Sequence, residues 1–177
     1  MFFISIDVGT KNLAYVVVNS ETNEICEWEV VSVPLTSLSK TVSFLDELFK
    51  NKNKIFNESN TSTVLVEKQP SRNVKMRIME NTLLMYFEMS KISRVISYSA
   101  KYKLGEIGKT VKGRHNYSLR KKYSILMTKQ YLASNVFLLD FFEKHKKKDD
   151  LADCLLQYIS HTDMVRIDEL SKIICSL

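Results

Sequence analysis

Asp7 stands at the end of an otherwise apolar run, Phe2-Phe3-Ile4-Ser5-Ile6, and Glu67 ends a second one, Val64-Leu65-Val66. A third source of carboxylates is Lys148-Asp149-Asp150-Leu151-Ala152-Asp153. On a helix Asp150 and Asp153, at i and i+3, share a face, and Asp149 and Asp153, at i and i+4, do so equally well, so spacing leaves both pairs open. Acids in such places serve as helix caps and surface ion pairs worth under about 1 kcal/mol each, or they gather as hard oxygen ligands for Mg²⁺ or Mn²⁺. Carboxylates gathered within a few Å repel one another, and without cations some must stay protonated. Two divalent ions about 3.5–4 Å apart remove that repulsion and can activate a water and stabilise the leaving oxygen of a phosphodiester.

For such chemistry the two strand-end acids must lie at one edge of a sheet. Residues 2–6 form a buried strand, 13–18 a second after the turn at Gly9, and 25–33 a third, with Ile25, Glu27 and Glu29 alternating against Cys26, Trp28 and Val30. Short turns between them make an antiparallel meander. From Ser37 the apolar residues Val42, Leu45, Leu48 and Phe49 follow helical spacing, 51–62 is polar loop, and Thr63 to Glu67 is a short buried strand. A helical crossover makes this strand parallel to the first, so Asp7 and Glu67 meet at the carboxyl edge, where open α/β sheets form their crevice. Pro70 and Ser71 open a long helix to about Ser90, with Met76, Met79, Leu83, Leu84 and Phe87 inward, and Val95 to Ser99 is the fifth strand. Gly105, Gly108 and Gly113 among basic residues indicate a flexible loop over 101–117. Ser118 is the expected N-cap of a helix to about Ala133. Residues 135–147 are apolar and then lysine-rich, a core helix runs from Asp149 to Ile159, and 163–177 is a C-terminal helix or tail. The order βββαβαβαα describes an α/β fold: one five-stranded mixed sheet with helices on both faces.

The chain has 177 residues, which suits one packed domain over 1–177. It is 45% hydrophobic and 26% charged, the balance of an ordinary globular protein. No apolar run approaches the about 20 residues needed to span a bilayer, so no membrane partner is expected. Met1 leads straight into a strand with no basic n-region, so neither a signal nor a transit peptide is expected. Three cysteines, Cys26, Cys154 and Cys175, without CxxC spacing suit a reducing intracellular compartment and no structural zinc. The net charge of +6 leans toward a polyanionic partner. Its distribution says more: eleven Lys or Arg lie from Lys91 to Lys129, against one acid, Glu106, from 101 to 129. That stretch is either a solvated loop and helix face or a phosphate-binding surface.

Ile4-Ser5-Ile6-Asp7-Val8-Gly9-Thr10-Lys11-Asn12-Leu13-Ala14-Tyr15-Val16 resembles the opening hairpin of RuvC-like Holliday-junction resolvases, particularly their poxviral and fungal mitochondrial branch. Val64-Leu65-Val66-Glu67-Lys68-Gln69-Pro70 resembles the second acidic motif of that family, and Asp150-Leu151-Ala152-Asp153-Cys154-Leu155 its third. Asp-Val-Gly-Thr alone also opens actin-like kinases; three motifs in register over residues 3 to about 160 are specific. The resemblance implies an RNase H-like fold and a tetrad of Asp7, Glu67, Asp150 and Asp153 around two Mg²⁺, with Mn²⁺ as substitute. It selects Asp150 over Asp149. It also implies a basic residue at the start of the helix before the last motif, where Lys121 is the first choice and Lys122 the second. A lysine there either stabilises the developing phosphorane charge or makes a plain phosphate contact. Lys101 and Lys103 fit backbone or junction contacts, and Lys109, Lys112, Arg114, Arg120 and Lys122 extend that DNA-binding surface.

The implied activity is a magnesium-dependent endonuclease that resolves four-way DNA junctions by symmetric nicks, in recombination or in processing viral concatemers. Two sites on one junction imply a homodimer. The helix over 71–90 carries Met85 and Met89 beyond what one buried stripe needs; these either face a second copy or pack under the basic loop. The competing expectations are a YqgF-like or RNase H-like nuclease acting on RNA or simple duplexes, a non-catalytic binding module, and an actin-like phosphotransferase. The last needs a second Gly-rich phosphate hairpin, for which the chain offers no segment. The stretch 142–148 is longer and more basic than in bacterial members, so substrate preference does not carry over from them. Lys and Asn usage suggests an AT-rich genome, which with the short length favours a large DNA virus and the host cytoplasm over the mitochondrion. His115, His145 and His161 lack metal-ligand spacing and read as surface or capping residues. Tyr98 and Tyr102 either stack on unpaired bases or are ordinary core and surface tyrosines.

Overall fold

A computed structural model describes residues 1–9, 11–33, 37–50, 59–111 and 116–176, leaving aside the side chains of Leu38 and Lys50. They form two compact units, Met1–Ser99 and Ala100–Leu177.

The first unit is the sheet. Its strands are β1 (Phe2–Asp7), β2 (Asn12–Asn19), β3 (Ile25–Ser32), β4 (Thr61–Lys68) and β5 (Val95–Ser99), in the order β3-β2-β1-β4-β5. β1, β2 and β3 pair antiparallel, while β4 lies parallel to β1, and β5 parallel to β4. The expected meander and parallel pair are both present. Helices α1 (Leu38–Lys50) and α2 (Val74–Met89) supply the crossovers. Period-two alternation sends Ile4 and Ile6, Leu13, Tyr15 and Val17, and Val64 and Val66 into one core with Leu45 and Phe49 of α1 and Met79, Leu83 and Phe87 of α2. The other faces of the same strands are buried as well, at Phe3, Ser5, Ala14, Val16, Val18 and Leu65. That double burial explains why β1 and β4 read as continuous apolar runs. Phe49 is the hub of the aromatic packing, 5.0 Å from Phe87 and 5.7 Å from Tyr86 between ring centroids. Truncating such a residue to alanine costs about 3–5 kcal/mol.

Two boundaries shift. Thr61 and Ser62, expected in a loop, begin β4, because Phe2 and Thr61 already pair. Pro70 and Ser71 do not open α2: they lie in a turn, and Asn73 is the cap, its side chain accepting from the Met76 N–H at 3.4 Å.

The second unit is helical. A 3-10 turn at Ala100–Tyr102 leads to α3 (Gly105–Thr110), α4 (Tyr117–Tyr131), α5 (Val136–Lys144), α6 (Lys148–Thr162) and α7 (Met164–Cys175). α6 is its centre, buried at Leu151, Ala152 and every residue from Cys154 to Ser160. α4 and α7 pack against it, and α3 against α7. The expected flexible loop over 101–117 is therefore wrong for its first part. Leu104, Ile107 and Val111 recur at helical spacing and are buried, which outweighs the glycines, and the Ile107 N–H donates to Ser171 Oγ at 2.9 Å. Gly105 permits the close approach of α3 to α7: its φ is +50°, and a Cβ there would lie 2.7 Å from Asp168 Oδ1. Ser118 is not the N-cap of α4; Asn116 holds that position, without a side-chain capping bond. Residues 112–115, with Lys112, Gly113, Arg114 and His115, lie outside the described residues.

Candidate active site

The first two carboxylates belong to the sheet. Ile6 pairs with Val66, so Asp7 and Glu67 come next in register, side by side at the carboxyl ends of two parallel strands. Both are half-buried. The chain leaves this edge through Gly9, where a Cβ would fall 1.9 Å from the Asn12 carbonyl oxygen. A side chain at position 9 is thus excluded by the turn that begins β2. Glu67 is held by its neighbour: Gln69 Nε2 donates to Glu67 Oε2 at 2.7 Å.

The other carboxylates open α6. Asp149 and Asp150 occupy its first turn, where the helix dipole favours negative charge. They are sorted by environment. Lys121 of α4 forms an ion pair with Asp149. Burial pushes the Asp149 carboxyl upward, but the hydrogen bond from Lys121 and its charge outweigh this and hold it below the usual range. Burial likewise works against the Lys121 ammonium, yet its bond to Asp149 carries it above the ordinary lysine value. Asp150 goes the other way, raised first by burial and then by the charge of Asp149. Asp153, one turn on, has Lys103 Nζ at 3.7 Å from its Oδ2.

The basic residues expected on a DNA-facing surface fall into different settings. Lys101 and Lys122 are exposed, Lys101 lying 4.6 Å from the centre of the Tyr102 ring. Lys109 is exposed and paired with Glu106 at 2.5 Å, which raises its ammonium above the ordinary value. Arg120 is half-buried and donates to the Val111 carbonyl at 3.0 Å. Lys103 is not a surface residue: it is 3% exposed, its charge turned to Asp153. Its place follows from Leu104 and Ile107, which draw this segment inward.

Carboxylate oxygens are hard donors that suit Mg²⁺ or Mn²⁺. Asp7 beside Glu67 places two half-buried carboxylates side by side, a donor pair that suits such a cation. Within either unit, no group of three or more His, Cys, Asp or Glu able to hold a metal ion occurs among the described residues. Cys154 is buried, and Cys26 and Cys175 are exposed and free.

The Poxvirus A22 protein family matches residues 1–162, a span that contains all of these carboxylates and lysines. The chain belongs to this family. No curated protein matches it. Among solved structures it resembles the fowlpox virus Holliday junction resolvase, with 22% identity, TM-score 0.61, and 91% of this chain and 97% of that one covered. A complex of fowlpox virus resolvase with substrate Holliday junction DNA matches at 22% identity and TM-score 0.60, over 96% and 99% of the two chains. RuvC of Thermus thermophilus in complex with Holliday junction substrate matches at 16% identity and TM-score 0.56, over 93% and 96%. The A22-family chain therefore has the RNase H-like fold of the RuvC resolvases.

Three features of this family member escape a reading of the sequence. Asp149 is bound to Lys121, which spacing alone does not single out. Gln69 touches Glu67, and its only signal is its place two residues on. Glu80, 3% exposed, is an acid on the inward stripe of α2 between Met79 and Leu83. An acid on an apolar stripe signals a buried partner, which here is the Gln69 N–H at 2.9 Å.

Proposed function

We propose that the chain is a structure-selective endonuclease that resolves four-way DNA junctions by paired, symmetric phosphodiester hydrolysis. The observation that carries this reading is the placement of Asp7 and Glu67 as register neighbours at the carboxyl ends of two parallel strands, in a chain of the Poxvirus A22 family. Asp7, Glu67, Asp150 and Asp153 are the proposed ligands of two Mg²⁺. Bound there, divalent cations supply an activated water and neutralise the charge that builds on the leaving oxygen. The remaining work falls to the chain. Lys121, kept charged by Asp149, acts as an electrostatic donor rather than as a base, offsetting negative charge on the phosphate. Asp150, whose carboxyl is raised by burial and by Asp149, is an oxygen donor whose charged form a bound cation would favour. Lys101, Lys109, Lys112, Arg114, Arg120 and Lys122 are the proposed phosphate contacts.

The active unit is proposed to be a homodimer. The outward face of α2 supports it: Val74, Ile78, Met85 and Met89 are 65%, 52%, 63% and 79% exposed and share one face of the helix, interrupted by the exposed Asn81. A closed two-fold pair presents two equal sites to a nearly two-fold junction.

A synthetic mobile four-way junction, a linear duplex and an RNA/DNA hybrid, each incubated with the purified chain with and without Mg²⁺, test the proposal. The junction alone should be cut, only with Mg²⁺. Preferential cutting of the hybrid or the duplex would instead establish the nuclease of RNA or simple duplexes.

A further inference from the structure

We infer that Gln69, anchored by Glu80 and Ser97, is a positioning residue that sets the orientation of the Glu67 carboxylate for its cation; this rests on the proposed role of Glu67 as a metal ligand. Gln69 follows Glu67 by two residues along extended chain, which puts both side chains on one side of the backbone. Pro70 comes next and restricts Gln69 itself to extended conformations. The Gln69 amide nitrogen lies 2.7 Å from Glu67 Oε2 and 3.3 Å from the Glu67 carbonyl oxygen. Both neighbours are acceptors, so only the NH₂ end of the amide can face them. One oxygen of the carboxylate is thereby fixed by a donor that carries no charge. A lysine or arginine in this place would fix it equally well but would also compete with a cation.

The anchor lies deeper. Gln69 is 6% exposed, and its backbone N–H donates to Oε2 of Glu80, itself 3% exposed, at 2.9 Å. Glu80 Oε1 in turn accepts from the Ser97 hydroxyl at 2.7 Å. The chain of bonds thus runs from β5 through α2 to the end of β4, where Glu67 stands. A buried carboxylate is costly unless its oxygens are satisfied. Spending Glu80 on one backbone N–H and one hydroxyl makes sense if what they hold must not move. Outer contacts of this kind orient metal-bound carboxylates, and their loss weakens metal affinity or activity about 10–100-fold.

The test is the Kd for Mn²⁺ from calorimetry, alongside the Mn²⁺ concentration that half-saturates junction cleavage. Gln69→Leu should raise both about tenfold or more, with metal-free junction binding unchanged and Tm within about 4 °C of wild type. Glu80→Leu should move both in the same direction. Glu80→Gln, whose carbonyl oxygen can still accept the Gln69 N–H while its amide faces the Ser97 hydroxyl, should restore them. If Gln69→Leu folds poorly, Gln69→Asn, whose amide stops one methylene short, carries the same expectation. Wild-type Mn²⁺ affinity and half-saturation in the Gln69 variants overturn the inference, as does a loss of kcat at saturating Mn²⁺ with half-saturation unchanged. Glu67→Gln separates the two readings. If it binds Mn²⁺ like wild type, the ligand role of Glu67 falls and the inference with it; if it is defective while the Gln69 variants are normal, only the inference falls.

Discussion

Asp149 and Asp150 are adjacent acids at the start of one helix, and their partners give them opposite characters. Asp149 is held ionised by Lys121; Asp150 is raised by burial and by Asp149 itself. The two therefore differ in what a neutral amide does to them. Asp150→Asn should abolish metal-dependent cleavage while leaving Tm near wild type. Asp149→Asn should keep measurable cleavage but lower Tm by a few degrees, since Lys121 loses the partner that offsets its partial burial. Parallel melting curves and cleavage rates decide it, and the reverse pattern would reassign the tetrad to Asp149. Spacing on its own left these two acids equivalent, because i, i+3 and i, i+4 pairs both share a helix face. Only the motif resemblance separated them at the level of sequence. The Gln69 contact was less legible still, because a neutral amide leaves no charge pattern to notice.

Among the elements, the strands are the most legible in the sequence because their signal is strong. A strand buried on both faces is an unbroken apolar run, as the middles of β1 and β4 are. Sequence expectation and structure differ where local chemistry and tertiary packing pull apart. Glycines at 105 and 108 suggested a loop, yet Leu104, Ile107 and Val111 bury a helix there. Lys103 looked like a phosphate contact, but it lies within that inward-drawn segment beside Asp153. Helix α2 shows the opposite case, in which an excess of apolar residues was visible and the structure divides it between two faces. Met79, Leu83 and Phe87 are buried, and Met85 and Met89 are not. A Met85→Glu, Met89→Glu double variant should thus change stability by no more than about 0.5 kcal/mol, as exposed substitutions usually do. It should nonetheless convert a dimer to a monomer in sedimentation at micromolar concentration. A wild-type chain that sediments as a monomer and still cuts both strands of one junction in concert would refute the dimer.

For the whole molecule, eleven Lys or Arg against one acid between Lys91 and Lys129, in a chain of net charge +6, make the proposed affinity for DNA a matter of counterion release. Lys101, Lys109 and Lys122 are exposed and are not among the proposed ligands. Reversing all three to Glu should weaken junction binding and flatten the slope of log K against log salt by about 2–3, at roughly 0.9 per phosphate contact. Unchanged affinity at several salt concentrations would move the DNA surface elsewhere. Asp7, Glu67, Asp150 and Asp153 are proposed to serve one metal-dependent reaction on branched DNA, and everything else proposed for the chain depends on it. Its most direct test is to map nicks on a four-way junction labelled on all strands, with wild type and with Glu67→Gln, in the presence and absence of Mg²⁺. Nicks at symmetry-related positions on two strands of like polarity, giving ligatable duplexes, should appear only for wild type and only with Mg²⁺. Cleavage that persists in Glu67→Gln, or that needs no divalent ion, would contradict this proposal.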